Sequence, residues 1–136
     1  FKTTVITDNM VAWTISQKDI DLFTSAADTI CMDGYIVNKV GTLQIAILCK
    51  HFGIPYFVTG IPDVDKLKKD IIIEERNPNE VLEFNNLKNT LNGVEAYYPA
   101  FDITPPYLIN GVVTDKKIFS PYNLDEYFKD EVEQYY

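Results

Sequence analysis

The sequence contains a candidate general acid, Asp28, and, ten residues further along, a pair that could bind an anionic substrate, Asn38-Lys39. Small and apolar residues flank Asp28 on both sides. A carboxyl group that such neighbours remove from water resists ionisation. A carboxylic acid that keeps its proton near neutral pH can donate it, which is the task of a general acid. Asp28 is therefore the candidate proton donor.

Asn38-Lys39 opens the longest predicted helix, Lys39–Phe52. Asparagine is a good N-cap, and the first-turn N–H groups of a helix are unsatisfied donors that carry partial positive charge. Together with the Lys39 ammonium group, they would bind an anionic group such as a phosphate. Each feature also has an ordinary explanation, because a lone aspartate more often serves as a turn or capping residue and Asn38-Lys39 resembles a common helix start.

The elements predicted before residue 60 alternate between strands and helices. This order predicts an α/β fold, namely a Rossmann-like, three-layer parallel sheet with helices on both faces. Ligands of such sheets bind beyond the carboxyl ends of the strands, where Asp28 falls. The predicted elements are strand Lys2–Thr7, a helix from Met10 to Ile15 capped by Asp8 or Asn9, strand Asp21–Ala26, helix Lys39–Phe52 with an apolar stripe of Val40, Leu43, Ile47 and Leu48 and a stop signal at Gly53, and strand Ile54–Thr59.

The rest of the chain has a looser pattern. Residues 28–37 are predicted to be irregular with a turn at Asp33-Gly34, and Asn77–Gly93 to be a surface loop with one helical turn. The sequence contains no repeat, linker or low-complexity tract, so residues 1–136 are predicted to form a single domain. Further predicted elements are strands at Ile71–Ile73 and Leu108–Thr114 and a terminal helix within Asn123–Tyr136.

Composition excludes several classes of function. The net charge of −8 and the single arginine leave no basic surface for nucleic-acid binding. No apolar run reaches the ~20 residues of a membrane-spanning helix, so a soluble, cytoplasmic protein without membrane contact is expected. Cys31 and Cys49 lack CxxC spacing and accompany one histidine, which argues against a disulfide framework or a metal cluster. Both cysteines are predicted to be structural, although Cys31 is close enough in sequence to Asp28 to approach the pocket.

Several segments of the chain resemble one known superfamily, in the order in which that family has them. It includes methylthioribose-1-phosphate isomerase, archaeal ribose-1,5-bisphosphate isomerase and the regulatory subunits of translation initiation factor 2B. As a set the segments are specific and span nearly the whole chain. They are Ile6-Thr7-Asp8-Asn9-Met10, Ala27-Asp28, Gly34 with Asn38-Lys39-Val40-Gly41-Thr42, Ile73-Glu74-Glu75-Arg76 and Pro99-Ala100-Phe101-Asp102-Ile103-Thr104-Pro105.

The resemblance implies a reaction and roles for individual residues. Asp28 would be the proton donor, and Asn38 and Lys39 would bind substrate. The implied reaction, a step of methionine salvage, converts 5-methylthioribose 1-phosphate into 5-methylthioribulose 1-phosphate. This aldose–ketose isomerisation is an intramolecular oxidoreduction for which the resemblance implies no metal or organic cofactor. Neither Cys31 nor Cys49 matches the catalytic cysteine of the family.

The resemblance also implies that the chain is a C-terminal domain. The helical N-terminal domain of the family and its cysteine loop would precede Phe1, which is not an initiator methionine. We therefore expect the chain to be a fragment that is inactive alone. A homodimer is expected because relatives commonly dimerise through this domain, and an aromatic concentration is typical of interfaces. Its members are Tyr97, Tyr98, Tyr107 and Tyr122.

Two branches of the superfamily remain as alternatives to the methylthioribose-1-phosphate branch. The acidic residue at Asp28 and the segment Glu74-Glu75-Arg76 favour a sugar-phosphate isomerase, and Asp8-Asn9-Met10 favours the methylthioribose-1-phosphate branch. Pro105-Pro106 leans towards ribose-1,5-bisphosphate isomerase. Ala26-Ala27-Asp28-Thr29 departs from the usual Gly-Ala-Asp-Arg, which leaves open a non-catalytic initiation-factor-like subunit that binds a sugar phosphate or nucleotide.

Two further acidic positions are expected to be architectural. Asp102 is predicted to cap a helix that begins near Pro105, since proline is tolerated in the first turn of a helix. Glu74-Glu75-Arg76 is predicted to be a loop anchored by a salt bridge, with a place at the rim of the cleft as the alternative.

Overall fold

The computed structural model describes residues 1–129. The α-helices are α1 (Val11–Gln17), α2 (Thr42–Phe52) and α3 (Asn79–Leu82), and 3₁₀ turns lie at Asp8–Met10, Lys68–Asp70, Pro106–Leu108 and Leu124–Phe128. The strands are β1 (Phe23–Ala26), β2 (Thr29–Ile30), β3 (Ile36–Lys39), β4 (Tyr56–Thr59), β5 (Glu83–Phe84), β6 (Leu87–Lys88), β7 (Phe101–Thr104), β8 (Gly111–Val113) and β9 (Ile118–Phe119).

A mainly parallel sheet contains the strands that local sequence patterns predicted best. Within residues 1–129 the strand order is β1-β4-β8-β9, with β1, β4 and β8 parallel and β9 antiparallel at one edge. Parallel neighbours need a long crossover connection, and the one from β1 to β4 contains α2. The predicted α/β class and the parallel sheet are confirmed, and a strand forms within each of the predicted ranges Asp21–Ala26, Ile54–Thr59 and Leu108–Thr114. The last strand is shorter than predicted, because Leu108 belongs to a 3₁₀ turn.

The long helix α2 begins later than predicted. Lys39 belongs to β3, and the chain turns through Gly41, whose φ of 110° is a left-handed conformation that favours glycine. The helix begins at Thr42 because this turn separates it from the strand. Its end is as predicted, since Gly53 adopts a φ of 74° and its N–H group donates to the carbonyl of Cys49.

The predicted apolar stripe of α2 is only partly confirmed, because Leu43 and Leu48 are half-buried and Leu43 packs against the core, but the other two members are exposed. The buried residues of the helix are Thr42, Ala46 and Cys49, whereas Ile47 is 51% exposed and Val40, just before the helix, is 37% exposed. Small residues allow the helix to approach the rest of the fold closely, so they are its most buried positions, while Leu43 packs at the side of the core.

A second, antiparallel sheet lies where the sequence predicted irregular structure. Among the described residues it contains β2, β3 and β7 in that order. The predicted turn at Asp33-Gly34 is confirmed and connects β2 to β3. Gly34 has a φ of 83°, and a Cβ atom at this position would lie 2.3 Å from the carbonyl oxygen of Pro121. The prediction of irregular structure is wrong because β7, the partner of β3, is distant in sequence.

Two predicted strands are wrong. The segment Lys2–Thr7 is exposed and pairs with no strand among residues 1–129, and Val5 is 91% exposed. Ile71–Ile73 likewise forms no strand in the described part of the chain, and Ile72 is 94% exposed. Both segments have strand composition, but a strand also needs a neighbour for its backbone hydrogen bonds.

The shorter predicted elements are partly confirmed. Helix α1 forms, but the side chains of Asp8 and Asn9 do not cap it, because Met10 is its N-cap. The loop at Asn77–Gly93 contains the predicted helical turn, α3, and also an unpredicted β5–β6 hairpin. Within Asn123–Tyr136, the described part forms a 3₁₀ turn at Leu124–Phe128, and the rest of the predicted terminal helix lies outside the described residues.

The hydrophobic core takes residues from both sheets, so the two sheets pack as one unit. No helix within residues 1–129 has the length and apolar character needed to cross a membrane. The core residues are Ile30, Ile36, Ala46, Tyr56, Val58, Leu108, Ile109, Val112, Phe119, Leu124 and Tyr127.

Candidate functional site

Asp28 lies at the junction of the two sheets. β1 ends at Ala26 and β2 begins at Thr29, and the N–H group of Asp28 donates to the carbonyl of Val37 at 3.0 Å. The predicted position beyond the carboxyl end of a parallel strand is confirmed. The side chain is exposed, however, because its small neighbours do not cover it. The expected removal of this carboxyl group from water is therefore wrong for this chain.

Asp28 opens onto a pocket of about 440 Å³. Its walls combine an apolar part with ionisable groups, a mixture suited to a small polar molecule that has an apolar portion. Of the ionisable residues, three are acidic and one is a lysine. The residues that line the pocket are Asp28, Thr29, Val37, Lys66, Asp70, Ile71, Ile72, Glu74 and Phe101.

Lys39 lies beside this pocket. It is two residues after Val37 on β3, and side chains two apart on a strand share a face. Its Nζ atom is 4.4 Å from the centroid of the Phe101 ring, and both Val37 and Phe101 line the pocket. Of the three predicted site residues, Asp28 therefore lines the pocket, and Lys39 contacts one of the lining residues without lining the pocket itself.

Asn38 belongs to the opposite face of β3. Its Nδ2 atom donates to Oγ1 of Thr42 at 3.1 Å, and the Thr42 hydroxyl donates to the carbonyl of Lys39 at 2.8 Å. Asn38 is not the N-cap of α2, because Gly41 holds that position. Asn38 and Lys39 are therefore adjacent in sequence but present their side chains to different sides of the sheet.

The N-terminus of α2 is already bound to an anion, the carboxylate of Asp102. The N–H of Gly41 donates to this carboxylate at 2.7 Å and the N–H of Leu43 donates at 3.1 Å. The predicted phosphate site at these N–H groups is therefore wrong. Asp102 is a capping residue as predicted, but it caps α2 instead of a helix near Pro105. Burial raises the pKa of Asp102, and the two backbone hydrogen bonds offset part of this rise.

Two segments close the far side of the pocket. The N–H of Met32 donates to the carbonyl of Lys66 at 2.9 Å, which ties the lysine-bearing segment to the β2–β3 turn. The N–H of Ala100 donates to the carbonyl of Glu74 at 2.8 Å, and Nε of Arg76 donates to a Glu74 carboxylate oxygen at 3.2 Å. Glu74 thus forms the predicted salt bridge and also lines the pocket.

Neither cysteine has the environment of a reactive thiol. Cys31 and Cys49 are buried and unbridged. Burial, assisted by nearby carboxylates, raises the pKa of Cys31 to about 11, and burial raises the pKa of Cys49. Since the thiolate is the reactive form, both residues fit the predicted structural role.

The pocket residues that sequence patterns did not assign to the site include Lys66, Asp70 and Phe101. Phe101 approaches the pocket because β7 pairs with β3, a long-range contact that local periodicity does not reveal. Lys66 and Asp70 belong to a charged segment that resembles an ordinary solvated surface. Within residues 1–129, no cluster of three or more His, Cys, Asp or Glu side chains is arranged to hold a metal ion.

A family model for the initiation factor 2 subunit family matches residues 1–121. This match covers most of the chain, so the chain belongs to that family.

Two curated relatives have sugar-phosphate isomerase names. The chain is 46% identical over 121 residues to the methylthioribose-1-phosphate isomerase of Bacillus pumilus, a match that covers 86% of this chain and 34% of the relative. It is 43% identical over 122 residues to the 5-deoxyribose 1-phosphate isomerase of Clostridium botulinum, which covers 87% and 35% respectively. The chain therefore spans about a third of the length of the curated relatives it matches.

Solved structures show the same fold in both branches of the family. The 5-methylthioribose 1-phosphate isomerase of Pyrococcus horikoshii matches with a TM-score of 0.81 and 37% identity, over 91% of this chain and 36% of that structure. The delta subunit of translation initiation factor eIF-2B from A. fulgidus matches with a TM-score of 0.78 and 31% identity, over 87% and 35%. The fold alone therefore does not separate an enzyme from an initiation-factor subunit.

Proposed function

We propose that the full-length protein containing this chain is an aldose–ketose isomerase of a pentose 1-phosphate, with 5-methylthioribose 1-phosphate as its substrate. The observation that carries this proposal is that Asp28 and Phe101 line one pocket and that the Lys39 ammonium group lies over the Phe101 ring. An acid beside an ammonium group suits a sugar that carries a phosphate. The names of the curated relatives support the same substrate class.

The proposed reaction begins with ring opening. A phosphate on C1 keeps the sugar closed, so the ring oxygen must receive a proton as its bond to C1 breaks. Asp28 is the proposed donor of this proton. In the net change, one hydrogen leaves C2 and one arrives at C1, and the C2 hydroxyl loses its proton to become a ketone. That proton restores the acid, so the isomerisation balances without an external oxidant or reductant.

Asn38 and Lys39 are proposed to bind the substrate. The Lys39 ammonium group beside the pocket would meet an anionic oxygen. Asn38, on the other face of β3, would act through its hydrogen bond to Thr42, whose hydroxyl in turn donates to the carbonyl of Lys39. The acidic majority among the lining residues leaves the phosphate charge poorly neutralised, which supports the expectation that this chain alone is inactive.

An initiation-factor-like subunit is the second candidate function. Two observations support it. The A. fulgidus subunit matches the chain, and Asp28 is exposed, whereas a general acid would have to be covered from water when the substrate binds. The isomerase remains the better proposal because, of the two solved structures, the isomerase is 37% identical to the chain and the initiation-factor subunit 31%. The curated relatives at 46% and 43% identity also have isomerase names. A homodimer is also proposed, since Tyr97, Tyr107 and Tyr122 are exposed aromatic side chains.

The test is a steady-state assay of the full-length protein with 5-methylthioribose 1-phosphate, 5-deoxyribose 1-phosphate and ribose 1,5-bisphosphate. Replacement of the acid in Asp28→Asn should lower kcat by roughly 10²- to 10⁴-fold while substrate still binds. Asp65→Asn is the matched control, because Asp65 is exposed and does not line the pocket. Binding of all three sugars by the wild-type protein without turnover would favour the regulatory subunit, and normal kcat in Asp28→Asn would remove Asp28 as the acid.

A further inference from the structure

Lys39 is held by an aromatic ring. Its Nζ atom is 4.4 Å from the centroid of the Phe101 ring, a distance typical of cation–π contacts. The contact follows from strand pairing, since Lys39 on β3 lies directly opposite Phe101 on β7. Lys39 is the last residue of β3 and Phe101 the first residue of β7, so the register of the two strands fixes the place of the ammonium group.

The ring restrains the ammonium group without neutralising its charge. Within residues 1–129, Lys39 forms no salt bridge with a carboxylate, although Asp28, Asp70 and Glu74 line the neighbouring pocket. A carboxylate partner would compete with an incoming anion for the N–H donors. An aromatic face attracts the cation electrostatically and leaves its other side open.

We propose that Phe101 is a positioning residue, which holds the Lys39 ammonium group beside the Asp28 pocket so that it meets the phosphate of the substrate. The inference rests on the proposed function, since it assigns a means of phosphate recognition to the same site. Phe101 also forms part of the pocket wall. Phe101 therefore contacts both the interior of the pocket and the Lys39 ammonium group.

The first test compares Phe101→Leu with Phe101→Tyr in the full-length protein. Leucine keeps an apolar wall but has no ring, whereas tyrosine keeps the ring. We expect Phe101→Leu to raise KM for 5-methylthioribose 1-phosphate by about two- to fivefold, because a partly exposed cation–π contact changes affinity by about this factor. The value of kcat should be nearly unchanged. Phe101→Tyr should restore the wild-type KM. Phe84→Leu is the control, because Phe84 is 73% exposed on the β5–β6 hairpin and does not line the pocket.

A second test reads the position of the ammonium group without any turnover. The lysines of the full-length protein would be labelled by ¹³C-dimethylation, which preserves their charge. The NMR signal of Lys39 would be assigned by its loss in Lys39→Arg. The Phe101 ring current should displace this signal in the wild-type protein and in Phe101→Tyr, but not in Phe101→Leu. Titration with inorganic phosphate should perturb the Lys39 signal at lower concentration in the wild-type protein than in Phe101→Leu.

These measurements separate failure of the inference from failure of the proposed function. If the wild-type protein turns over none of the sugars, the isomerase proposal fails, and the Lys39 signal with its phosphate titration still decides the role of Phe101. The inference is wrong if the Lys39 signal is the same in wild type and Phe101→Leu. It is equally wrong if the signal changes but KM and phosphate binding do not, or if Phe101→Tyr behaves like Phe101→Leu.

Discussion

The two sheets of this protein differ in what they contribute. The parallel strands β4 and β8 contribute Tyr56, Val58 and Val112 to the core. The antiparallel strands β3 and β7 hold the site-forming residues Asn38, Lys39, Phe101 and Asp102. Asp28 lies where the first sheet passes into the second. The antiparallel sheet also contributes Ile30 and Ile36 to the core, so it both stabilises the fold and places the site. The short antiparallel sheet, which has little local signal in the sequence, therefore determines the geometry of the candidate site.

If the antiparallel sheet is as well protected from solvent as the main core, Cys31 should react as slowly with an alkylating reagent as Cys49 does. With a pKa of about 11, Cys31 has about two-hundredfold less thiolate at pH 8 than an ordinary cysteine of pKa about 8.5. Alkylation by iodoacetamide, followed by mass spectrometry, should be slower by at least that factor than alkylation of a cysteine peptide. Cys49 in α2 serves as the comparison from the main core. Labelling of Cys31 at the rate of the peptide would show that the second sheet opens readily.

The β2–β3 turn should tolerate substitution much less than the end of α2. Gly34→Ala would place an L-residue in a left-handed conformation and a Cβ atom 2.3 Å from the Pro121 carbonyl oxygen. Because both effects destabilise the fold, we expect the unfolding free energy to fall by about 3 kcal/mol or more. Gly53→Ala is the matched control, because Gly53 is also left-handed but has no atom within 4 Å of the added Cβ. It should cost only about 1 kcal/mol. Equal losses in urea denaturation would contradict the close packing of the turn.

Asp102 should stabilise the connection between the second sheet and α2. Asp102→Ala removes the acceptor for the Gly41 and Leu43 N–H groups, and loss of such a cap costs about 1–2 kcal/mol. Asp102→Asn keeps one acceptor oxygen and should cost less. Asp65→Ala, at an exposed aspartate, should have no measurable effect. If Asp102→Ala were as stable as the wild type, the carboxylate would not hold the helix start.

The same carboxylate should make a small, pH-dependent contribution to stability. Because burial raises the pKa of Asp102, the folded protein binds its proton more tightly than the unfolded chain, whose carboxyl pKa is about 3.9. The unfolding free energy of the wild type should therefore fall, relative to that of Asp102→Asn, as the pH rises just above that value. Paired urea titrations from pH 3.5 to 6 would measure the difference. A constant difference would show that Asp102 titrates alike in both states.

Local sequence patterns predicted the parallel sheet because each of its strands carries its own signal. Tyr56–Thr59 is apolar and follows a glycine stop, and Asp28 could be placed from its position after such a strand. Asn38-Lys39 was assigned to a helix start because its true partner, Phe101-Asp102, is distant in sequence. The wrong strand at Lys2–Thr7 has the converse cause, since it has strand composition but no paired neighbour among residues 1–129. Long-range pairing, which composition does not encode, separates the confirmed predictions from the wrong ones.

The most direct test of the account is a crystal structure of full-length Asp28→Asn with 5-methylthioribose 1-phosphate bound. This variant should bind the sugar without converting it. We expect residue 28 to lie within hydrogen-bonding distance of the ring oxygen. The Lys39 ammonium group, still above the Phe101 ring, should contact a phosphate oxygen. A sugar phosphate bound elsewhere, with the Asp28 pocket filled only by water, would contradict it.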